Sequence, residues 1–196
     1  MPRIISGRFR GLKLVSPPGR NTRPTADLVK EALFSMLTSL PFDYDGVRGL
    51  DFFAGSGSLG LEVLSRGAAE MVLADCDPKA LEAIRRNVAA AGAEAAAVVM
   101  RARWPQSLSA LPPACPFDLF LLDPPYDQRE LPLKLLCRAA EMGLARPGAV
   151  AVWEQAPENL TNWTEAESAP WLILKTRAWG GRAAAFLEYT PPKETL

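Results

Sequence analysis

Leu50-Asp51-Phe52-Phe53-Ala54-Gly55-Ser56-Gly57-Ser58-Leu59-Gly60 is the stretch from which the rest of the chain can be read. An apolar run with an acid near its exit meets a glycine-rich turn, and a helical pattern begins directly behind it. That is the pattern of a strand feeding a helix through a loop able to cradle a nucleotide. Residues downstream continue the unit, and residues upstream read as an attachment to it.

Working forward, residues 47–53 form a first strand and 59–66 its helix, which Gly67 ends. Residues 71–74 form a second strand closing on Asp75. Asp77-Pro78 opens the next helix, with Pro78 suited to the first turn. Ala80, Leu81, Ile84 and Val88 supply its apolar stripe, Gly92 stops it, and 95–100 is a short third strand. A proline-spotted connection over 104–116 leads to Phe117-Asp118-Leu119-Phe120-Leu121-Leu122, a buried strand running straight into Asp123-Pro124-Pro125-Tyr126. A helix over 130–142 follows. Arg146-Pro147-Gly148 is expected to turn into a fifth strand over 149–153. Residues 171–177 and 183–189 have no helix between them, and they read as an antiparallel hairpin closing an otherwise parallel α/β sheet.

Working backward, Arg23-Pro24-Thr25 opens a helix with Thr25 as candidate cap, and Val29, Ala32, Leu33, Met36 and Leu37 recur at helical spacing. Before it, Ile4-Ile5-Ser6 and Leu12-Lys13-Leu14-Val15 are expected to pair as a β-hairpin with Arg8, Phe9 and Arg10 at its tip. The organisation expected is one domain over residues 1–196 with 1–22 as a basic arm.

The chain has 196 residues, 48% hydrophobic and 22% charged, and its apolar stretches fall far short of the ~20 residues that span a bilayer. The first residues contain no signal-peptide hydrophobic core, so a cytoplasmic protein without a membrane partner is expected. Cys76, Cys115 and Cys137 are scattered, and there is no histidine. Zinc ligation by Cys/His sets, Ser-His-Asp and Cys-His nucleophilic schemes, and general-base chemistry by imidazole are therefore excluded, and no metal is expected. Net charge is zero but uneven. Arg3, Arg8, Arg10, Lys13, Arg20, Arg23 and Lys30 oppose Asp27 alone in residues 1–30, a net of +6 balanced by −6 over the remainder. Such an arm suits a polyanion, because phosphate neutralisation supplies most nucleic-acid affinity; the alternative is a solvated basic hairpin. Phe9 could stack on a base or serve in packing.

Gly55-x-Gly57-x-x-Gly60 with Asp75 at 20 residues beyond Gly55 matches a dinucleotide fingerprint. It equally fits any adenosine cofactor with a free ribose, whose hydroxyls a strand-end carboxylate can accept. Asp51 would repel a pyrophosphate but suits a cationic group, such as the amino group of S-adenosylmethionine; the bland reading is that it caps the turn and that Asp75 is a surface acid. Asp123-Pro124-Pro125-Tyr126 could simply stop a strand. Its chemistry nevertheless fits an exocyclic base amine, whose delocalised lone pair makes it a poor nucleophile. The Asp123 carboxylate and the Pro124 carbonyl can accept the two N–H bonds, Pro125 presents no competing amide, and Tyr126 can stack on an unstacked base. In-line attack on a sulfonium methyl then needs orientation rather than a strong base.

Several blocks together carry a resemblance. They are Arg3 through Arg10-Gly11-Leu12-Lys13-Leu14, Arg23-Pro24-Thr25-Ala26-Asp27 with Glu31-Ala32-Leu33-Phe34, and Phe53-Ala54-Gly55-Ser56-Gly57-Ser58-Leu59-Gly60-Leu61-Glu62 with Ser65-Arg66-Gly67-Ala68. In these blocks the chain closely resembles the bacterial 16S rRNA guanine-N2 methyltransferase family. The likeness is dense through Tyr126 and looser afterwards. It implies a class I, S-adenosylmethionine-dependent methyltransferase fold, Rossmann-like, with strand order 3-2-1-4-5-7-6. The cofactor would be held by Asp51, Ala54, Gly55, Ser56, Gly57 and Asp75, and the target amine by Asp123, Pro124, Pro125 and Tyr126.

The implied partner is 16S rRNA of the assembling small ribosomal subunit, contacted by Arg8, Arg10, Arg20 and Arg23, with no obligate protein partner evident. Met100-Arg101-Ala102-Arg103-Trp104 departs from the family, whose members often carry an acid after the third strand. Main chain or Trp104 packing is expected to hold the adenine instead. Trp179-Gly180-Gly181-Arg182 also departs from the family's turn, without an assignable consequence. The alternatives are an N6-adenine methyltransferase on RNA or DNA, since Asp-Pro-Pro-Tyr does not choose the base, a non-catalytic ribosome-assembly factor, and more remotely a nicotinamide oxidoreductase.

Overall fold

The computed structural model describes residues 2–18, 25–112, 115–125, 130–157, 168–179 and 181–192, and the side chains of these from residue 28 onward and of 2–18. The chain divides into two compact units, Met1–Arg103 and Trp104–Leu196.

The first unit contains α1 (Thr25–Thr38), β1 (Arg48–Asp51), α2 (Ser58–Ser65), β2 (Glu70–Asp75), α3 (Pro78–Ala91) and β3 (Ala97–Arg101). β1, β2 and β3 are parallel, with Leu50 opposite Val72 and Leu73 opposite Val99. Parallel strands need covered faces, and α2 packs on β1 and β2 while α3 packs on β2 and β3. Leu50, Phe52, Leu61, Leu64, Met71, Leu73 and Ile84 are buried in this core. α3 begins as its sequence suggests: the Asp77 carboxylate accepts the Lys79 amide at 2.9 Å, and Pro78 occupies the first turn. Gly92 ends it at φ +60°, a left-handed conformation natural to glycine.

The second unit contains a one-turn 3₁₀ helix (Gln106–Ala110), β4 (Phe117–Leu122), α4 (Leu131–Glu141), β5 (Ala145–Gln155), β6 (Trp171–Trp179) and β7 (Arg182–Tyr189). β4 and β5 are parallel, and β7 runs antiparallel to both β5 and β6, as expected of a closing hairpin. The Phe120 and Trp171 rings meet edge to face at 5.5 Å, with Phe117 beside Phe120 at 5.8 Å.

The seven strands follow the order β3-β2-β1-β4-β5-β7-β6. Two local expectations need correction. Arg146-Pro147-Gly148 does not turn ahead of β5 but lies inside it: Ala145 already pairs with Phe117, and the register then shifts so that Leu119 faces Val150. The three residues bulge from the ladder, which is how a strand accommodates a proline lacking its donor. The N-terminal segment is not a laddered hairpin. Its two arms share one antiparallel bridge, Arg3 with Lys13, and hydrogen bonds from Ile4 to Leu12, Gly11 to Ile4 and Leu14 to Pro2.

Candidate functional site

β1 ends on Asp51, 1% exposed, and the chain then bends through Ala54, Gly55, Ser56 and Gly57 into α2. Gly55 and Gly57 take φ of +57° and +78°, which is why glycine stands at both. Three amides of this loop have partners within the protein. The Ala54 amide donates to Ala74 O at 2.9 Å, the Gly55 amide to Asp75 Oδ2 at 2.9 Å and the Gly57 amide to Ala54 O at 2.6 Å. These three hydrogen bonds help hold the shape of the loop.

Asp75, at the end of β2, is the clamp for that shape. Its Oδ1 accepts the Asp77 amide at 2.9 Å while its Oδ2 holds Gly55. Each carboxylate oxygen can accept twice, so capacity remains for a ligand hydroxyl. Gly60, the third glycine, is a packing residue: a Cβ there would stand 2.2 Å from Leu73 Cδ2 and 3.6 Å from Asp51 Oδ2. At Gly60 the α2 backbone thus lies too close to Leu73 for a side chain to fit without a shift.

Three buried polar side chains of this unit, Asn87, Lys30 and Glu62, belong to none of the site motifs in the sequence. Asn87 on α3 is 1% exposed. Its Nδ2 donates to Val15 O and Ser56 O, and its Oδ1 accepts the Val15 amide, all at 2.8 Å. Lys30 on α1 donates to Arg3 O at 2.5 Å and Ser58 Oγ at 3.0 Å, and pairs with Glu62 Oε2 at 3.3 Å. Glu62 on α2 also accepts the amides of Ile5 and Ser6 and the Arg66 guanidinium. Ser65 accepts the Arg8 amide on its carbonyl and the Phe9 amide on its hydroxyl, which donates to Ser6 O. The sequence carries one signal for these residues: Lys30, Glu62 and Asn87 interrupt apolar helix faces, between Val29 and Leu33, beside Leu61 and Val63, and three positions after Ile84.

The arm turns its main chain toward the body and its cations outward: Arg3, Arg8, Arg10 and Lys13 are exposed. Phe9 is half-buried, and the Arg8 guanidinium lies 4.6 Å from its ring centroid. Arg20 and Arg23 lie outside the described residues. In the second unit Asp123 and Pro124 are half-buried and Pro125 is exposed, directly after β4, and Tyr126 lies outside the described residues. Trp104 is half-buried at the start of that unit. β4 and β5 pair Leu122 with Trp153, so Glu154 and Gln155 close β5 level with the motif. Glu154 is buried and pairs with Arg182, and burial raises its pKa while the guanidinium partly offsets that rise. Among the described residues, no group of three or more His, Cys, Asp or Glu side chains could hold a metal ion, and no helix is long and apolar enough to cross a membrane.

Strand order, the single antiparallel β7 and a glycine loop leaving β1 between two strand-end carboxylates define a class I methyltransferase fold. The solved structure of yhhF from Escherichia coli has that fold with a TM-score of 0.78, at 29% identity, over 96% of this chain and 98% of that one. Within the class, the chain belongs to the conserved hypothetical protein 95 family, that of the ribosomal RNA small subunit methyltransferase D proteins, whose profile matches residues 2–187. It is 34% identical to ribosomal RNA small subunit methyltransferase D of Haemophilus influenzae across 91% of this chain and 89% of that one. With the Escherichia coli protein of the same name it shares 39% identity across 63% of this chain and 60% of that one.

Proposed function

We propose that this chain, as one methyltransferase domain over residues 1–196 with 1–22 as its basic arm, methylates the exocyclic N2 amine of a guanine in 16S rRNA, using S-adenosylmethionine. The observation that carries the choice of cofactor is the buried carboxylate of Asp51 beside the glycine loop. Gly55 and Gly57 donate to Asp75 and Ala54, and Asp51 is buried at the exit of β1. The buried Asp51 carboxylate beside the loop would repel a pyrophosphate, which disfavours a dinucleotide. An ammonium beside Asp51 and ribose hydroxyls on Asp75 meet no such conflict.

S-adenosylmethionine supplies an electrophilic methyl group on a sulfonium. The protein's part is to orient the amine. The Asp123 carboxylate and the Pro124 carbonyl accept its N–H bonds, turning its lone pair outward, and Asp123 is available to take the proton released as the N–C bond forms. Tyr126 is the proposed stacking platform for the extruded base. The exposed cations of the arm, with Arg20 and Arg23, are assigned to the RNA backbone. Support for a ribosomal substrate comes from relatives named ribosomal RNA small subunit methyltransferases. The reading is tested by isotopic methyl transfer to immature small subunits followed by nucleoside analysis. Labelled N2-methylguanosine is expected, and labelled N6-methyladenosine would move the assignment to adenine.

A further inference from the structure

We propose that the N-terminal arm is part of the framework of the cofactor loop. In this proposal Asn87 is the positioning residue that latches Val15 of the arm to Ser56 of the loop, so that arm docking and cofactor binding stabilise each other. The inference rests on the proposed use of S-adenosylmethionine. A carboxamide nitrogen has two N–H donors, and here they serve two different segments, Val15 O and Ser56 O, each at 2.8 Å. Asn87 is buried with both segments in place, so displacing either one gives up hydrogen bonds made inside the protein. The Ser56–Gly57 peptide is consequently held at both ends: its carbonyl by Asn87, its amide by Ala54 O at 2.6 Å. The orientation of that peptide sets the shape of the loop, and Asn87 holds it only while its other N–H is occupied by the arm.

Lys30 repeats the construction from α1. It reaches Arg3 O in the arm and Ser58 Oγ, the first residue of α2 behind the loop. Two buried side chains on two helices thus join the arm to residues on either side of Gly57. An arm that merely covered a helix face would need no link to the loop. An arm that carries RNA-facing cations on one side and loop contacts on the other can transmit occupancy in both directions, with equal coupling each way.

Gly7 offers a remote way to loosen the arm. It has φ +80°, and a Cβ there would stand 1.8 Å from Ser65 O, at the far end of α2 from the loop. The test is calorimetric titration of the full chain, Gly7→Ala and Asn87→Ala with S-adenosylmethionine, together with amide exchange of Ile5, Ser6, Phe9 and Val15 with and without it. The expected result is a fivefold or greater loss of affinity in Gly7→Ala as well as in Asn87→Ala, and slower arm exchange in the unmodified chain when the cofactor is bound. Arm exchange unmoved by cofactor, with Gly7→Ala within twofold of the unmodified chain, would overturn the coupling while leaving the cofactor assignment intact. An unmodified chain that binds no S-adenosylmethionine would overturn both. The exchange measurement needs no variant, so a misfolded substitution does not remove the test.

Discussion

Lys30 and Glu62 form an ion pair of 3.3 Å in which the side chains are 4% and 0% exposed. Glu62 is further surrounded by the Ile5 and Ser6 amides and by Arg66. A buried carboxylate is tolerable only with such donors, and removing one partner of a buried pair costs about 3–5 kcal/mol. Arg66 remains in the Lys30→Met variant, so a loss at the lower end, about 3 kcal/mol, is expected in urea unfolding. A loss below about 1 kcal/mol would mean that Arg66 and the arm amides suffice.

Gly60→Ala sets helix propensity against packing. Alanine favours a helix interior by about 1 kcal/mol over glycine. The new Cβ would stand 2.2 Å from Leu73 Cδ2, and Leu73 is wholly buried, so it must shift within the core. Overpacking of this kind costs about 1–3 kcal/mol, and net destabilisation is expected in thermal unfolding. A stabilised variant would show that the core beside β2 can relax.

Arg8 and Arg10 present exposed side chains while the main chain of the arm does the docking. Replacing both with glutamine should weaken binding to small-subunit RNA and flatten its salt dependence by up to about two phosphate contacts, roughly 1.4–1.8 in the logarithmic slope. Cofactor affinity should stay unchanged. An unaltered slope in filter-binding titrations would remove these arginines from the RNA contact.

Asp123→Ala removes the proposed acceptor of the amine. Misplacing a reacting group costs on the order of a hundredfold, so single-turnover methyl transfer should slow by about that factor or more while S-adenosylmethionine affinity holds. Full activity would take Asp123 out of the reaction.

Glu154 gives a pH signature. Burial raises its pKa in the folded protein above the ordinary glutamate value, with Arg182 opposing. The folded state therefore binds the proton more tightly, and stability from this group falls as pH rises from the unfolded value through the folded one. Glu154→Gln should abolish that fall. Parallel stability profiles for both proteins between acid and neutral pH would contradict it.

The glycine loop, the Asp77-Pro78 helix start and the apolar run of β4 were legible because each is a local rule: φ, capping and burial on both faces are written in neighbouring residues. Arg146-Pro147-Gly148 was not, since turn composition cannot tell a bulge from a true turn; that depends on whether a partner such as Phe117 is already paired at Ala145. Gly60 looked like part of a nucleotide fingerprint, yet its immediate reason is the approach of α2 to Leu73 and Asp51.

Local patterning in this chain was thus enough to specify an open α/β sheet, the residues at its strand ends and a basic arm, because periodicity and backbone conformation are short-range properties. The partners of Lys30, Glu62 and Asn87 arose only in the folded molecule. Each is a polar residue on an apolar helix face, where burial demands hydrogen bonds but sequence does not say from where. Among those partners, folding supplies Arg3, Ile5, Ser6 and Val15 of the arm from 27 to 72 residues away in sequence, and so makes the arm and the loop neighbours.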